Sequence, residues 1–483
     1  MTLLNDYPGA CGECGAVVPA LTGVVSGPPW RLLCAGCGTE PNPFNRDVEL
    51  YPYQVLGTRW LRSRRRGLLG DQQGLGKTVQ VLAALPGDRP ALVVCPKVAK
   101  GVWARHVEWR DDLQARVIKS RRGWRMPDQG EVVVANYEQL PERPDGLPPE
   151  TTVVLDEAHY AKNPSARRTL RARRFCRHAL KHGGAAWGLT GTPLKNLPPD
   201  LWTLLDVLDL RDQTWGRVDD YRRDMGGRKG AWGWVWDGPV SPRVPEVLQR
   251  VMLRREKRDV LASLPPKRRE DLVVDIDSAT ARAADEALSL LAKAGVCLEE
   301  ATREALAAVG GAPFEALSRA RAMLAAAKVP ALLEVVRDHA VQNPGEPLLV
   351  WSCYLAPIDA ISHLDGWAAL KGAVSVKRRT ALEDALQAGE LAGLALTIPA
   401  GHTAITLTRA ERAVFVDLDF SPSTNEQAED RIHRIGQTRS VLYTRLVADH
   451  ALDRRLFELL DAKHARTEAA ISAARILTHP TQE

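Results

Sequence analysis

Apolar positions in this chain fall into short continuous runs separated by helical stretches. Leu68-Leu69 leads into a glycine-rich loop over 70–78, and an apolar helical stretch over 79–85 follows it. That pattern predicts strand, loop, helix. Thr152–Leu155 reads as a buried strand and stops at Asp156. Residues 185–187 form another short apolar stretch, and 347–352, 393–398, 413–418 and 441–447 read as further strands. Strands alternating with helices predict an α/β fold with parallel sheets. Residues 266–330 read as mostly Ala-rich helix with alternating charges, and 211–245 as an irregular insertion rich in Gly and Trp. No apolar run approaches about 18 residues, so no membrane span is expected. No basic stretch precedes an apolar one at the N-terminus, so no secretory signal is expected and the protein should stay in the cytoplasm.

Composition adds room and charge to this outline. The 483 residues allow two or three domains with their own cores, and 45% hydrophobic with 26% charged residues is an ordinary globular balance. Net charge is only +6, but arginines cluster. Arg62, Arg64, Arg65 and Arg66 form one group, and Arg121, Arg122 and Arg125 another. Arg167, Arg168, Arg171, Arg173, Arg174 and Arg177 form a third, on a stretch that reads as one helix. Clustered guanidinium groups suit a phosphate backbone, while the plainer reading is a solvated helix face.

Cysteine spacing points to a metal. Cys11-Gly-Glu-Cys14 and Cys34-Ala-Gly-Cys37 are two CxxC knuckles with residues 15–33 between them. Two such knuckles supply the four thiolates of a tetrahedral Zn²⁺ site, closed and therefore structural. Some 45 residues build little core, so a metal staple makes physical sense. Cys95, Cys176, Cys297 and Cys353 are scattered and read as small core residues rather than a disulfide framework.

The loop after Leu69 reads Gly70-Asp71-Gln72-Gln73-Gly74-Leu75-Gly76-Lys77-Thr78. Backbone N–H groups of such a loop, with Gly74 and Gly76, cradle phosphates at a helix N-terminus. Lys77 would reach the β- and γ-phosphates of ATP, and the Thr78 hydroxyl would hold Mg²⁺. The generic loop pattern has Gly where Asp71 stands. Asp156 at a strand end would hold Mg²⁺, and Glu157 would orient the attacking water. His159 reads either as a relay or as a structural hydrogen-bonder. Thr190, in Leu189-Thr-Gly-Thr-Pro193, would sense the γ-phosphate through its hydroxyl, unless the segment is an ordinary turn.

These motifs resemble the superfamily 2 helicase-like ATPases, and specifically the SNF2 family. The most specific stretch is Gln427-Ala-Glu-Asp430-Arg431-Ile-His433-Arg434-Ile-Gly436-Gln437, close to that family's QAxDRxHRIGQ motif. Tyr51-Pro-Tyr-Gln54, Val94-Cys-Pro-Lys97, Ala135-Asn-Tyr-Glu138, Met252-Leu-Arg-Arg255 with Leu264-Pro-Pro-Lys267, and Leu349-Val-Trp-Ser352 look like further family segments, covering about 48–450. Trp232-Gly-Trp234 is similar to the annealing-helicase branch, though a packed aromatic corner explains it as well. The resemblance implies two RecA-like lobes that bind ATP between them. Gln54 would read adenine, and Gln427 would lie near the nucleotide. Arg431 and Arg434 would be the two arginines that meet the γ-phosphate, and their spacing of three predicts one helix face. Lys97, Asn136 and Tyr137 would touch the nucleic acid.

Four regions follow: a zinc ribbon over 1–45, an ATP-binding lobe over 46–265, a helical brace over 266–330 and a second lobe over 331–483. The resemblance implies a DNA-dependent ATPase that moves along double-stranded DNA, forked or branched forms included. A monomer in a bacterial or phage-infected cell is expected. A strand-separating DNA or RNA helicase and an ATP-regulated binding clamp remain the alternatives. Two departures from the family pattern stand out. Gln72-Gln73 replaces the usual Glu-Met, which is expected to be harmless, and the segment around His402 and Ala404 lacks usual glycines, which is expected to weaken coupling.

Overall fold

The computed structural model describes the short strands Leu3–Leu4, Gly9–Ala10, Val17–Val18, Val24–Ser26 and Arg31–Leu33. It further describes residues 43–45, 48–192, 198–230, 233–236, 238–261, 264–293, 311–372, 374–398 and 405–472. Cys11, Cys14, Cys34 and Cys37 lie outside the described residues, as do Trp232, His402 and Ala404. Contacts divide the chain into two units, one formed chiefly by Met1–Ala262 and one by Ser263–Glu468.

In the first unit the strands are β1 (Arg66–Leu69), β2 (Ala91–Cys95), β3 (Gln114–Val117), β4 (Glu131–Asn136), β5 (Thr152–Leu155), β6 (Ala185–Leu189) and β7 (Met252–Leu253). They form one sheet in the order β7-β1-β6-β5-β2-β4-β3, with every pairing parallel. All residues of β2 and β5 are buried. Helices cover both faces of a parallel sheet, which is why these strands are unbroken apolar runs rather than alternating ones. Their C-terminal ends lie on one edge of the sheet, and β1, β6 and β5 are neighbours there. The loops after Leu69, Leu189 and Leu155 are thereby brought side by side.

The helices of this unit include α1 (Pro52–Arg62), α2 (Lys77–Ala84), α3 (Lys100–Val107) and α4 (Arg167–Lys181). The third arginine cluster does lie on one helix, α4. It buries Thr169, Ala172, Phe175, Cys176 and Ala179 at helical spacing. Its arginines answer carboxylates of the same unit. Arg173 and Arg177 hold Asp206 at 2.8 and 2.9 Å, and Arg171 pairs with Glu142. The 211–245 segment is more regular than its composition suggests. It carries a helix, Val218–Asp224, and an antiparallel strand pair, Arg228–Gly230 with Gly233–Val235. Trp215 donates to Asp224 at 2.9 Å, and the Arg222 guanidinium lies 4.5 Å over the Trp234 ring.

The second unit holds β8 (Lys267–Val274), β9 (Leu348–Ser352), β10 (Trp367–Leu370), β11 (Gly393–Thr397), β12 (Arg412–Phe415) and β13 (Val441–Ala448). Their order is β8-β13-β12-β9-β11-β10, again parallel throughout. Both units are therefore α/β with parallel sheets, as the hydrophobic pattern predicts. The start of the expected brace is β8, an edge strand of this sheet. Helices α5 (Ser278–Lys293) and α6 (Gly311–Ala327) supply the Ala-rich helical character. They pack through Ala284, Ala287, Ala320 and Leu324 with Leu452 and Leu456.

One carboxylate ties β8 to this unit. Side chains two apart on a strand share a face, so Lys267 and Arg269 both reach Glu429, at 3.0 and 2.7 Å. Glu429 ends the helix α7 (Pro422–Glu429), and its carbonyl accepts from the Tyr443 hydroxyl at 2.7 Å. Burial alone would raise the Glu429 carboxyl, but the Lys267 and Arg269 charges outweigh it and hold it at about 2.

Glu429→Gln should cost about 3 kcal/mol, read as a lower urea midpoint, because two cations lose their buried partner. The pH dependence has a definite sign. The folded carboxyl lies below its ordinary value of 4.5. Its contribution is therefore complete above about pH 4.5 and is lost as pH falls toward about 2. Between about pH 5 and pH 2.5, wild-type stability should fall more steeply than that of Glu429→Gln; parallel curves would contradict this.

Candidate functional site

The site begins where β1 ends. Gly74 and Gly76 take φ values of 83° and 71°, left-handed conformations that a side chain would strain. They turn the loop so that α2 starts at Lys77. Amides at a helix N-terminus that follows such a loop suit phosphate oxygens. The Lys77 ammonium lies over the loop and donates to the Asp71 carbonyl at 2.6 Å and the Gln72 carbonyl at 3.3 Å. Burial lowers its pKa, against the opposing pull of Glu157, Asp71 and Asp156.

What fixes the loop is a buried ion pair. Asp71 is fully buried, and Arg255, just beyond β7, grips it with Nε at 2.9 Å and Nη2 at 2.5 Å. The Arg255 amide adds a third bond at 3.1 Å, and Gln80 on α2 a fourth at 3.0 Å. Arg254 spans two loops, donating to the Gly70 carbonyl at 3.0 Å and the Gly191 carbonyl at 3.1 Å. Asp71, Arg254 and Arg255 were not assigned to the site from sequence. The signs in the sequence were the break that Asp71 makes in the generic loop pattern and the family segment Met252-Leu-Arg-Arg255, which carried no site role. Gln72 and Gln73 are also engaged. Gln72 accepts from the Lys257 amide at 2.8 Å, and Gln73 donates to Glu157 at 3.4 Å.

Beside the loop stands the end of β5. Asp156 Oδ1 accepts from the Glu157 amide at 2.9 Å, and Oδ2 from the Trp103 indole of α3 at 2.8 Å. Burial, with the Glu157 charge next, pushes the Asp156 carboxyl upward from the usual carboxylate range. Two crowded carboxylates and a nearby threonine hydroxyl form a hard-oxygen donor set, which fits Mg²⁺ beside bound phosphates. Glu157 itself adopts φ 46°. From it a chain of contacts runs through His159, 3.3 Å from Glu157 and 3.4 Å from the Thr190 hydroxyl, to the Thr192 amide at 3.1 Å. His159 is buried and connects the β5 and β6 loops. The structure thus brings Gly74, Gly76, Lys77, Thr78, Asp156, Glu157 and Thr190 to one edge of one sheet.

Other expected residues have different surroundings. Gln54 is buried and donates to the Leu75 carbonyl at 3.3 Å, so it braces the loop. Tyr137, expected at the nucleic acid, has no exposed surface. Its hydroxyl donates to the Asp156 carbonyl at 2.8 Å and its ring stacks on Tyr160, so it supports the site from the core. Asn136 is nearly buried and donates to Glu138 at 3.0 Å, while Lys97 is exposed. In the second unit, Gln427 is buried on α7. Arg431 and Arg434 do not share a helix face, because α7 ends at Glu429 and both follow in turns. Arg434 donates to the Thr406 hydroxyl at 3.1 Å, and burial lowers its pKa.

A glycine loop at the end of one parallel strand, with an acidic pair two strands away at the same edge of the sheet, defines a P-loop α/β protein. The chain matches the SNF2-related domain over residues 53–308 and belongs to that family. It is 30% identical over 435 residues to a Caenorhabditis elegans protein, the homolog of SWI/SNF-related matrix-associated actin-dependent regulator of chromatin subfamily A-like protein 1, covering 86% of this chain and 61% of that one. It is 27% identical over 455 residues to the human DNA annealing helicase and endonuclease ZRANB3, covering 89% and 41%. The chain thus spans between 41% and 61% of these relatives' lengths. A solved structure of the Sulfolobus solfataricus SWI2/SNF2 ATPase core in complex with dsDNA aligns at TM-score 0.42 and 21% identity, over 90% of this chain and 96% of that one.

Asp71→Asn should destabilise the protein by about 3–5 kcal/mol, because Arg255 is left as an uncompensated buried charge. A urea midpoint equal to wild type would show that the pair does not hold the loop.

Proposed function

We propose that the chain is an ATP-driven motor that moves along double-stranded DNA. The observation that carries this reading is the convergence of Lys77, Asp156, Glu157 and Thr190 on one sheet edge, in a member of the SNF2-related family. The loop amides and Lys77 bind the triphosphate. Asp156 and Thr78 would hold Mg²⁺, which would screen phosphate charge. Glu157 orients the attacking water and accepts its proton. Gln54 is proposed to read adenine, with Gln427 near the nucleotide. Arg431 and Arg434 are proposed to offset charge developing on the γ-phosphate. The contact chain from Glu157 through His159 to Thr190 gives one unit a way to register the γ-phosphate in two loops at once.

The family and the relatives' names support DNA as the track. A motor that steps without sequence preference grips phosphates and sugars, and exposed Lys97 is a candidate contact. A single chain working where the cell keeps its DNA, in the cytoplasm of a bacterial or phage-infected cell, is the proposed setting. Domain limits at 45, 265 and 330 remain the proposed functional divisions.

The N-terminal cysteines are proposed to hold one Zn²⁺. Cys11 follows the strand Gly9–Ala10 and Cys34 follows Arg31–Leu33, and these two strands lie against each other. Metal analysis of the purified chain should find about one zinc per molecule, and its absence would refute the site.

Steady-state ATPase rates on blunt duplex, forked duplex, single-stranded DNA and RNA test the motor. Duplex should stimulate most, whereas greater stimulation by single strands or RNA would favour a strand-separating helicase. Lys77→Ala should lower turnover by at least about 100-fold while duplex affinity stays within about twofold. Turnover that survives Lys77→Ala would overturn the site assignment.

A further inference from the structure

Arginines from two clusters far apart in sequence, three from one and Arg177 from the other, meet in one cleft of the first unit. The cleft has a volume of about 600 Å³ and is lined by Arg64, Arg65 and Arg66 from the start of β1, Arg177 and Lys181 from the end of α4, and Asp209. We infer that this cleft is a second phosphate-binding site, separate from the nucleotide loop, that takes the sugar–phosphate backbone of duplex DNA. The inference rests on the DNA-motor reading above.

Charge is the first argument. Five cations line the cleft against one carboxylate, Asp209, which pairs with Arg66. Most other fixed contacts are to neutral carbonyls. Arg64 donates to the Arg250 carbonyl at 2.7 Å, and Arg65 to the Gly184 carbonyl at 3.1 Å and to that of Leu180. Such bonds orient a guanidinium without cancelling its charge, and a guanidinium has five donors to distribute. Arg177 shares the buried Asp206 with Arg173 and Arg211. The result is a set of oriented cations facing an open space, which favours a polyanion.

Shape and composition narrow the ligand. Arg65, Arg177 and Lys181 are exposed, so the cleft opens to solvent and would not enclose a small ligand as a typical pocket does. Among the described residues no aromatic side chain lines it. A site for single strands would offer rings on which bases stack, whereas a duplex keeps the faces of its bases stacked on one another and presents its backbone and groove edges. Position excludes the reacting triphosphate. Arg66 starts β1 and the nucleotide loop leaves its other end, so four residues at about 3.3 Å each separate the two, about 13 Å.

The test uses the full chain with saturating ADP, Lys181→Glu and the milder Lys181→Gln, each checked for unchanged thermal melting. Two probes are titrated over a salt series: a duplex of about 40 base pairs and inorganic tripolyphosphate. For Lys181→Glu, duplex affinity should fall about five- to tenfold, and the slope of log affinity against log salt should shrink by about one. Lys181→Gln should fall between Lys181→Glu and wild type, and tripolyphosphate affinity should not change. Unaltered duplex affinity and slope in both variants would overturn the inference. So would a loss confined to tripolyphosphate, which would make the cleft a small-anion site. Wild-type protein that fails to bind duplex at all would instead overturn the motor reading, and the cleft assignment with it.

Discussion

Asp71 has no exposed surface, and the geometry of the glycine-rich loop depends on how its carboxylate is met. Burying a carboxylate costs free energy unless a cation and several hydrogen bonds replace the water it leaves. Arg255 supplies the cation, and its own amide and Gln80 supply the remaining bonds. The pair ties the loop after β1 to the chain leaving β7, although the two residues are 184 positions apart. Arg254 extends the tie to Gly191 on the third neighbouring loop. The loop amides therefore stand on a scaffold closed by two adjacent arginines from a distant segment.

The second unit uses the same device. Glu429 is a buried carboxylate between Lys267 and Arg269, and it anchors an edge strand to the helix that precedes Arg431 and Arg434. In both units the charged residues flanking a chemical motif act as structural locks. A lock of this kind is costly to break from one side, which suits loops that must hold their shape beside a highly charged ligand.

Aromatic residues play a supporting part of a similar kind. Trp103 fixes one Asp156 oxygen and Tyr137 fixes the Asp156 carbonyl, from α3 and from the end of β4. Both are buried, and both position a carboxylate whose partners must be strong to keep it oriented. His159 then carries the arrangement to the neighbouring loop. Orientation comes from packed elements on three sides rather than from the flexible loop alone.

Local patterns were enough to read the strand–loop–helix start, the acidic pair at the end of β5 and the parallel α/β class. Apolar runs, left-handed glycines and helix N-termini act within a few residues of one another, so sequence order carries them. The partners of charged and aromatic side chains were not legible, since they lie in other elements of the fold, from 19 to 184 positions away. Sequence left Asp71 as a departure from a loop pattern, Tyr137 as a surface contact and Arg431 with Arg434 on one helix face. Tertiary structure made the first a buried anchor, placed the second in the core and ended the helix before the other two. It also split the arginine clusters, giving several to carboxylates of their own unit and placing Arg64, Arg65, Arg66 and Arg177 around one cleft. A charge is placed by whatever dielectric and counter-charge surround it, and only the folded chain brings those together.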